Sequence, residues 1–245
     1  MIPSMEPAPT EDALLGGRVR LLQPARGYRV AIDAVLLAAA IDAAPGARVL
    51  DLGAGVGAVG LCLAARVPGC TVTGIEVQPT LARLAERNAV LNGMNERVRT
   101  IVHDLARPLP SELGLFDRVA TNPPYLAAAV ADPSPDPSKA LATVESSADL
   151  ARWLAVATGA AKSAGTLLVI HRSDRLDEIV GHLVRLGWSD ITVKRLPPAA
   201  RVLVRARRAA TPVRREASPL VLHRPDGGYT GEAEAVLRHA APLAF

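Results

Sequence analysis

Apolar residues along the chain fall into short continuous runs separated by longer stretches of helical period. The runs are Arg48–Leu52, Thr71–Val77, Val98–Asp104, Phe116–Thr121 and Thr166–His171, each of strand length. Between them, Gly57–Val67, Pro79–Asn92, Ala148–Ser163 and Leu176–Leu186 repeat apolar residues every three or four positions. The last of these shows an Ile179/Val180/Leu183/Val184 stripe, Asp174 as a candidate N-cap and Gly187 at its end. Strands that alternate with helices pair in parallel, with helices on both faces of the sheet. Two further strands, Asp190–Leu196 and Arg201–Arg208, are joined only by Pro197-Pro198-Ala199-Ala200, a link that permits only an antiparallel hairpin. The pattern predicts an α/β fold: a doubly wound, mostly parallel seven-stranded sheet with a C-terminal antiparallel hairpin.

At 245 residues the chain can bury one substantial core. Met1–Leu15, rich in proline and acid, reads as a disordered tail, and residues 16–245 as one domain. Within it, 16–45 form an N-terminal segment whose Asp33-Ala-Val-Leu-Leu reads as a helix start, with Asp33 a possible N-cap. Residues 190–245 form a basic hairpin and tail. The start lacks the basic-then-apolar order of a signal peptide, and the apolar run Ala34–Ile41 is far short of a membrane span. Cys62 and Cys70 make no disulfide framework and no metal-binding spacing. A soluble, reduced, cytoplasmic protein without metal or membrane partner is expected.

The first four strand runs each end in a polar residue: Asp51, Glu76, Asp104 and Asn122. In an open parallel sheet the carboxyl ends of the strands line the ligand crevice, so three carboxylates and an amide there describe one site. A single acid would be the ordinary start of a loop; four in register are not.

Gly55-Val-Gly57-Ala-Val-Gly60 matches the dinucleotide fingerprint, and Glu76 stands at about the expected distance beyond it. A nicotinamide-dependent dehydrogenase is therefore one candidate. Against it stands Asp51, two residues before Gly53 at the root of the same turn. A pyrophosphate on a helix N-terminus wants positive surroundings, whereas a ligand ending in an ammonium group wants this carboxylate. S-adenosyl-methionine has such a tail and no phosphate. Glu76 can accept from its two ribose hydroxyls and Asp104 from its adenine amine.

After the fourth strand comes Asn122-Pro123-Pro124-Tyr125. A nitrogen conjugated to a ring or carbonyl is a poor nucleophile, because its lone pair is delocalised. Two acceptors, the Asn122 side-chain oxygen and the Pro123 carbonyl, can hold the amine hydrogens and return the lone pair to nitrogen. Pro123 and Pro124 restrict the backbone and so present the carbonyls rigidly. Tyr125 can stack on a base, worth ~1–3 kcal/mol in single-strand binders. A proline-rich turn is the plain alternative.

These residues resemble the class I methyltransferases with an N-P-P-Y motif, whose fold is Rossmann-like, and in particular the bacterial tRNA(Val) adenine-N6 methyltransferase family. The resemblance runs from about Gly16 onward. It rests on Gln23-Pro-Ala-Arg-Gly-Tyr-Arg-Val-Ala-Ile-Asp33-Ala-Val-Leu-Leu, Asp51-Leu-Gly-Ala-Gly, Asn122–Tyr125 and Pro219-Leu-Val-Leu-His-Arg-Pro-Asp-Gly-Gly-Tyr-Thr230. It implies S-adenosyl-methionine as cofactor, with Asp51, Gly53, Gly55, Glu76, Asp104 and Asn122 in its site and Tyr28, Arg29 and Asp33 covering it. It implies an adenine in RNA, in a tRNA anticodon loop, as acceptor, with Asn122, Pro123, Pro124 and Tyr125 carrying the chemistry. Leu126 stands where the family tends to have phenylalanine, and Leu126–Val144 is an alanine- and proline-rich stretch, either a substrate-gating loop or plain disorder.

Two other functions fit part of the pattern. Release-factor glutamine methyltransferases share N-P-P-Y but carry a sizeable helical domain ahead of the glycine loop. The fifty or so residues before Asp51 do not read as a helical bundle, which weighs against this reading without removing it. A cofactor-binding module without catalysis is the second, and the intact Asn122–Tyr125 speaks against it. For RNA as partner, the net charge of +4 is permissive only. More specific is the crowding of Arg195, Arg201, Arg205, Arg207, Arg208, Arg214 and Arg215 on the C-terminal hairpin and its exit, with Arg201, Arg205 and Arg207 on one strand face. Charge protecting an edge strand would produce the same pattern.

Overall fold

A computed structural model of the chain describes residues 7–27, 29–125 and 148–245. Strands β1 (Thr10–Leu14) and β2 (Val19–Gln23) pair as an antiparallel hairpin of their own. An eight-stranded sheet follows, made of β3 (Arg48–Leu52), β4 (Thr71–Glu76), β5 (Val98–Val102), β6 (Phe116–Thr121), β7 (Ala161–Arg172), β8 (Asp190–Arg195), β9 (Arg201–Arg207) and β10 (Val213–Ala217). Its order is β10-β8-β9-β7-β6-β3-β4-β5. All neighbours are parallel except β9, which runs antiparallel between β7 and β8.

The helices are α1 (Ile32–Ala40), α2 (Ala58–Arg66), α3 (Pro79–Leu91), α4 (Leu150–Ala160), α5 (Leu176–Arg185) and α6 (Gly231–His239). Alternation along the strands sorts side chains onto two faces. Leu168, Ile170 and Leu203 join the core formed with α1, α2, α3 and α6. Leu167, Val169, Val202 and Val204 join the opposite core, under α4 and α5. Both faces are covered, which is why the strands read as continuous apolar runs. Local signals set the helix ends. Asp149 accepts from the Arg152 amide at 2.8 Å to cap α4, and Thr230 accepts from Ala233 at 3.1 Å to cap α6. Gly187, at φ +86, follows α5.

The mostly parallel α/β sheet and the β8–β9 hairpin match the sequence-based expectation; several details differ. Thr10–Leu14, expected within the tail, is strand β1. The sheet has eight strands instead of seven, because Val213–Ala217 adds to β8. Because β9 lies between β7 and β8 it is an interior strand, and its arginines cannot be explained as protection of an edge. Asp174 is not the N-cap of α5, which starts at Leu176; its carboxylate pairs with Arg172 instead. Nor does Asp33 cap α1: Ala31 holds that position, and Asp33 lies buried in the first turn.

The β1–β2 hairpin is fixed by α3. Asn88 and Asn92, one turn apart and so on one helix face, act as a substitute strand for β2. Asn88 accepts from the Leu22 amide at 2.7 Å and donates to the Leu22 carbonyl at 3.0 Å. Asn92 does the same for Arg20 at 2.9 and 2.7 Å. Asn88 also donates to Val56 in the glycine turn at 3.0 Å, joining the N-terminal hairpin to the site.

Candidate active site at the strand ends

Strand order places the polar strand-end residues along one edge in the sequence Asp104 (β5), Glu76 (β4), Asp51 (β3), Asn122 (β6). Register keeps them level: Asp51 lies opposite Gly74 and Ala120, and Glu76 opposite Val102. The edge continues with His171 at the end of β7 and Arg201 at the start of antiparallel β9. Two functional groupings result, one on each side of β3.

On the β4 side, the turn after β3 carries Gly53 (φ +76) and Gly55 (φ +56), in the left-handed region. A Cβ on Gly53 would come within 2.6 Å of the Trp153 ring, whereas one on Gly55 would meet nothing within 4 Å. The first glycine is thus required by packing from α4, and the second leaves open space beside the carboxylates. Glu76 is buried and accepts from the Gly55 and Gln78 amides, both at 2.8 Å. Burial pushes its pKa up, and those amides with that of Val77 work against the rise. Its oxygens retain lone pairs for further donors. Asp51 is 2% exposed, and its Oδ2 accepts no hydrogen bond from the described residues. Burial, assisted by the nearby Glu76 charge, pushes its pKa up to about 7. Asp104, half-buried, accepts from the Ala106 amide at 2.9 Å. A buried carboxylate without a cation, a second acid beside it and an open glycine turn suit a ligand bearing an ammonium group and hydroxyls. Anionic phosphates would meet repulsion here. The residues present therefore fit S-adenosyl-methionine.

On the β7 side, Asn122 follows β6, with its Oδ1 buried and accepting nothing from the described residues. Pro123 and Pro124 are buried. The Tyr125 hydroxyl donates to Asp33 Oδ2 at 2.5 Å, and Arg201 Nε donates to the same oxygen at 3.0 Å. The Arg201 guanidinium lies over the Tyr125 ring, 4.5 Å from its centre. His171, fully buried, sets its Nε2 3.3 Å from the Pro124 carbonyl and packs edge-to-face with Tyr125 at 5.2 Å. Burial holds the imidazole neutral, with a pKa lowered to about 4.

The structure brings Asp51, Gly53, Gly55, Glu76, Asp104 and Asn122–Tyr125 to one edge. Of the three residues expected over the cofactor, Tyr28 lies outside the described residues, as does the stretch Leu126–Val144. Arg29 bonds Thr10 and Pro24 at 2.8 and 3.1 Å and pairs with Asp12, all in or beside the N-terminal hairpin. Asp33 bonds Tyr125 and Arg201. The basic strand face is also engaged within the chain: Arg205 covers Phe245, Arg207 lies 3.8 Å from Asp42, and Arg195, Arg214 and Arg215 pair with Glu216, Asp177 and Asp190. Among the described residues no cluster of histidine, cysteine or acid could hold a metal ion, and no helix is long and apolar enough to cross a membrane. Sequence reasoning missed His171, although it ends the fifth apolar run as Asp51, Glu76, Asp104 and Asn122 end or follow the first four.

The sheet order and the paired strand-end groups define a class I methyltransferase that uses S-adenosyl-methionine. A family model for the methyltransferase small domain matches residues 28–134. A tRNA1(Val) (adenine(37)-N6)-methyltransferase of Porphyromonas gingivalis is 31% identical over 218 residues, 83% of this chain and 85% of that protein. A release factor glutamine methyltransferase of Deinococcus radiodurans is 36% identical over 168 residues, 66% of this chain but 58% of that one. Among solved structures, a predicted O-methyltransferase from Agrobacterium tumefaciens superposes with a TM-score of 0.69 at 24% identity, covering 87% of this chain and 99% of that one. A geranyl diphosphate methyltransferase crystallised with S-adenosyl-methionine gives 0.53 at 14% identity, covering 72% and 84%. The chain belongs to the S-adenosyl-methionine-dependent methyltransferase family that includes the Porphyromonas gingivalis enzyme.

Proposed function

We propose that the protein methylates the exocyclic N6 amine of an adenine in RNA, in the anticodon loop of a tRNA, which would place its work in the cytoplasm. The observation that carries this is the Asn122–Tyr125 motif with an unengaged amide oxygen, in a chain that aligns with an adenine-N6 relative over most of both lengths. The glutamine-modifying relative aligns over little more than half of its own length. In this reading Asp51 holds the ammonium end of S-adenosyl-methionine, Glu76 its ribose and Asp104 its adenine, with the open turn at Gly55 admitting it closely and Gly53 letting that turn pack on Trp153. The bound cofactor supplies an electrophilic methyl group. Asn122 Oδ1 and the Pro123 carbonyl accept the two amine hydrogens, align the nitrogen and raise its nucleophilicity as positive charge develops on it. No base is needed beforehand, because the methylated nitrogen becomes acidic and releases its proton. A loop base supports this acceptor class, since it can be splayed out of the stack while a helical one hides its amine.

The test offers two acceptors with labelled cofactor: unfractionated bacterial tRNA, and peptides with glutamine in a Gly-Gly-Gln context. Label in N6-methyladenosine is the expected result. Label in peptide alone would overturn the acceptor and leave the cofactor site standing.

A further inference from the structure

Three side chains far apart in sequence meet at the acceptor motif, and none of them was expected there. Asp33 comes from the first turn of α1, His171 from the end of β7 and Arg201 from the start of β9. Asp33 is 8% exposed and His171 0%. The Arg201 side chain keeps 28% exposure, less than the exposed arginine pairs Arg195, Arg214 and Arg215 retain. One carboxylate oxygen of Asp33 receives both the Tyr125 hydroxyl and Arg201 Nε, while the Arg201 guanidinium also covers the Tyr125 ring. From the sheet side, neutral His171 can donate Nε2–H to the Pro124 carbonyl and buttress the ring. Pro123 and Pro124 have no amide hydrogen, so the motif cannot be tied down through its own backbone donors at these two positions. The side-chain contacts supply the missing restraint.

We propose that Asp33, Arg201 and His171 are positioning residues that lock Tyr125 and the Pro124 carbonyl, and through them set the angle at which Asn122 and Pro123 meet the acceptor. This rests on the acceptor role proposed above for Asn122–Tyr125. It gives Asp33 a duty toward the acceptor motif, and it removes Arg201 from the arginines available to phosphate. A site held within fractions of an ångström needs a supporting shell of this kind, and the rate should suffer more than binding when it loosens.

Two measurements on the full chain test this: amide hydrogen exchange, and turnover with unfractionated tRNA. Asp33→Asn preserves size and should leave the melting temperature close to wild type. Exchange at the Asn122 and Tyr125 amides should accelerate several-fold in Asp33→Asn, with β3 and β4 unchanged. Turnover should fall about tenfold in Asp33→Asn and in Tyr125→Phe, with KM for tRNA and cofactor Kd within about twofold, and the double variant should fall no further. Independent action would multiply the losses to about a hundredfold. Arg201→Lys keeps the charge but not the planar cover, and should lie between wild type and Asp33→Asn. Wild-type exchange at Asn122 and Tyr125 in Asp33→Asn, or multiplicative losses in turnover, would overturn the proposal. If wild-type protein methylated no tRNA, the acceptor assignment would fail separately, and exchange alone would decide the anchor.

Discussion

The two sides of β3 are built on opposite rules. Toward β4, Glu76 and Asp104 accept backbone amides, but Asp51 Oδ2 is buried and accepts nothing from the described residues. Toward β7, Tyr125, Asp33 and Arg201 are bonded to one another and His171 Nε2 meets the Pro124 carbonyl, while Asn122 Oδ1 and His171 Nδ1 are buried and bond nothing among the described residues. A buried carboxylate without a cation is costly, so its place beside an open glycine turn suits a cationic ligand. A dense side-chain network spends its hydrogen bonds on rigidity and identifies a geometric task. In the function proposed above, one half attracts and the other aims.

The largest expected break falls on the aiming half. In Asn122→Ala, methyl transfer should drop on the order of a hundredfold or more, the loss typical of a transition-state hydrogen bond. Melting temperature and cofactor affinity, read by calorimetry, should barely move, because Asn122 Oδ1 bonds nothing among the described residues. Wild-type turnover in this variant would end the amine-clamp account. Next in size, Asp51→Ala should weaken S-adenosyl-methionine binding by ~1–3 kcal/mol, the worth of a charged hydrogen bond. Titration calorimetry reads this directly, and unchanged affinity would mean that the ammonium group is held elsewhere.

Gly53 and Gly55 sharpen the contrast within the attracting half itself. Gly53→Ala must move the Trp153 ring and also strain a residue at φ +76, so unfolding free energy should fall by ~2–3 kcal/mol. Gly55→Ala meets no atom within 4 Å and should cost only the backbone strain, ~1 kcal/mol. Its effect should instead appear in cofactor affinity, since the added methyl enters the space beside Asp51 and Glu76. Equal stability losses in denaturant titrations would contradict this division.

Much of the attracting half was legible in sequence, because each of its groups announces itself locally. Asp51 and Glu76 end apolar runs, and Gly53 and Gly55 sit in a glycine-rich turn. The aiming half was legible only at its centre, the contiguous Asn122–Tyr125. Its supports arrive from positions 33, 171 and 201, and no local pattern ties a helix-start aspartate to a tyrosine some ninety residues later. Arg201 was misleading for the same reason: by strand alternation it groups with Arg205 and Arg207, whereas its surroundings are set by Asp33 across the edge. Strands β1, β2 and β10 escaped detection, β1 and β10 because they bury little. Thr10–Leu14 and Val213–Ala217 are short, mostly exposed and polar, so they lack the apolar run by which β3 to β9 were found. What holds them is backbone pairing with β2 and β8, which a hydrophobicity pattern does not register.

The most discriminating prediction sets the two halves against each other in pH, and its net signal in the wild-type protein is the smallest because the two contributions cancel. Asp51 ionises near its ordinary 3.8 when unfolded and at about 7 when folded. Between these values the folded state holds the extra proton, so lowering the pH stabilises it and raising the pH through 4 to 7 removes stability. His171 behaves inversely. Its folded value of about 4 lies below the ordinary 6.5, so the unfolded state takes the proton first and stability is lost as pH falls from 6.5 to 4. Each effect is on the order of 3–4 kcal/mol, because a tenfold difference in proton affinity between the folded and unfolded states corresponds to about 1.36 kcal/mol. Since they oppose, the wild-type protein should show a flat stability profile between pH 4 and 6.5 from these two groups. Asp51→Asn should be more stable than wild type at pH 8, lose that advantage near pH 4, and unmask an acid-side decline below 6.5. His171→Gln should unmask the opposite slope, with stability falling as pH rises from 4 to 7. Denaturant titrations of the cofactor-free protein across this range measure both slopes, and slopes of the same sign in the two variants would refute the assignment of opposite roles.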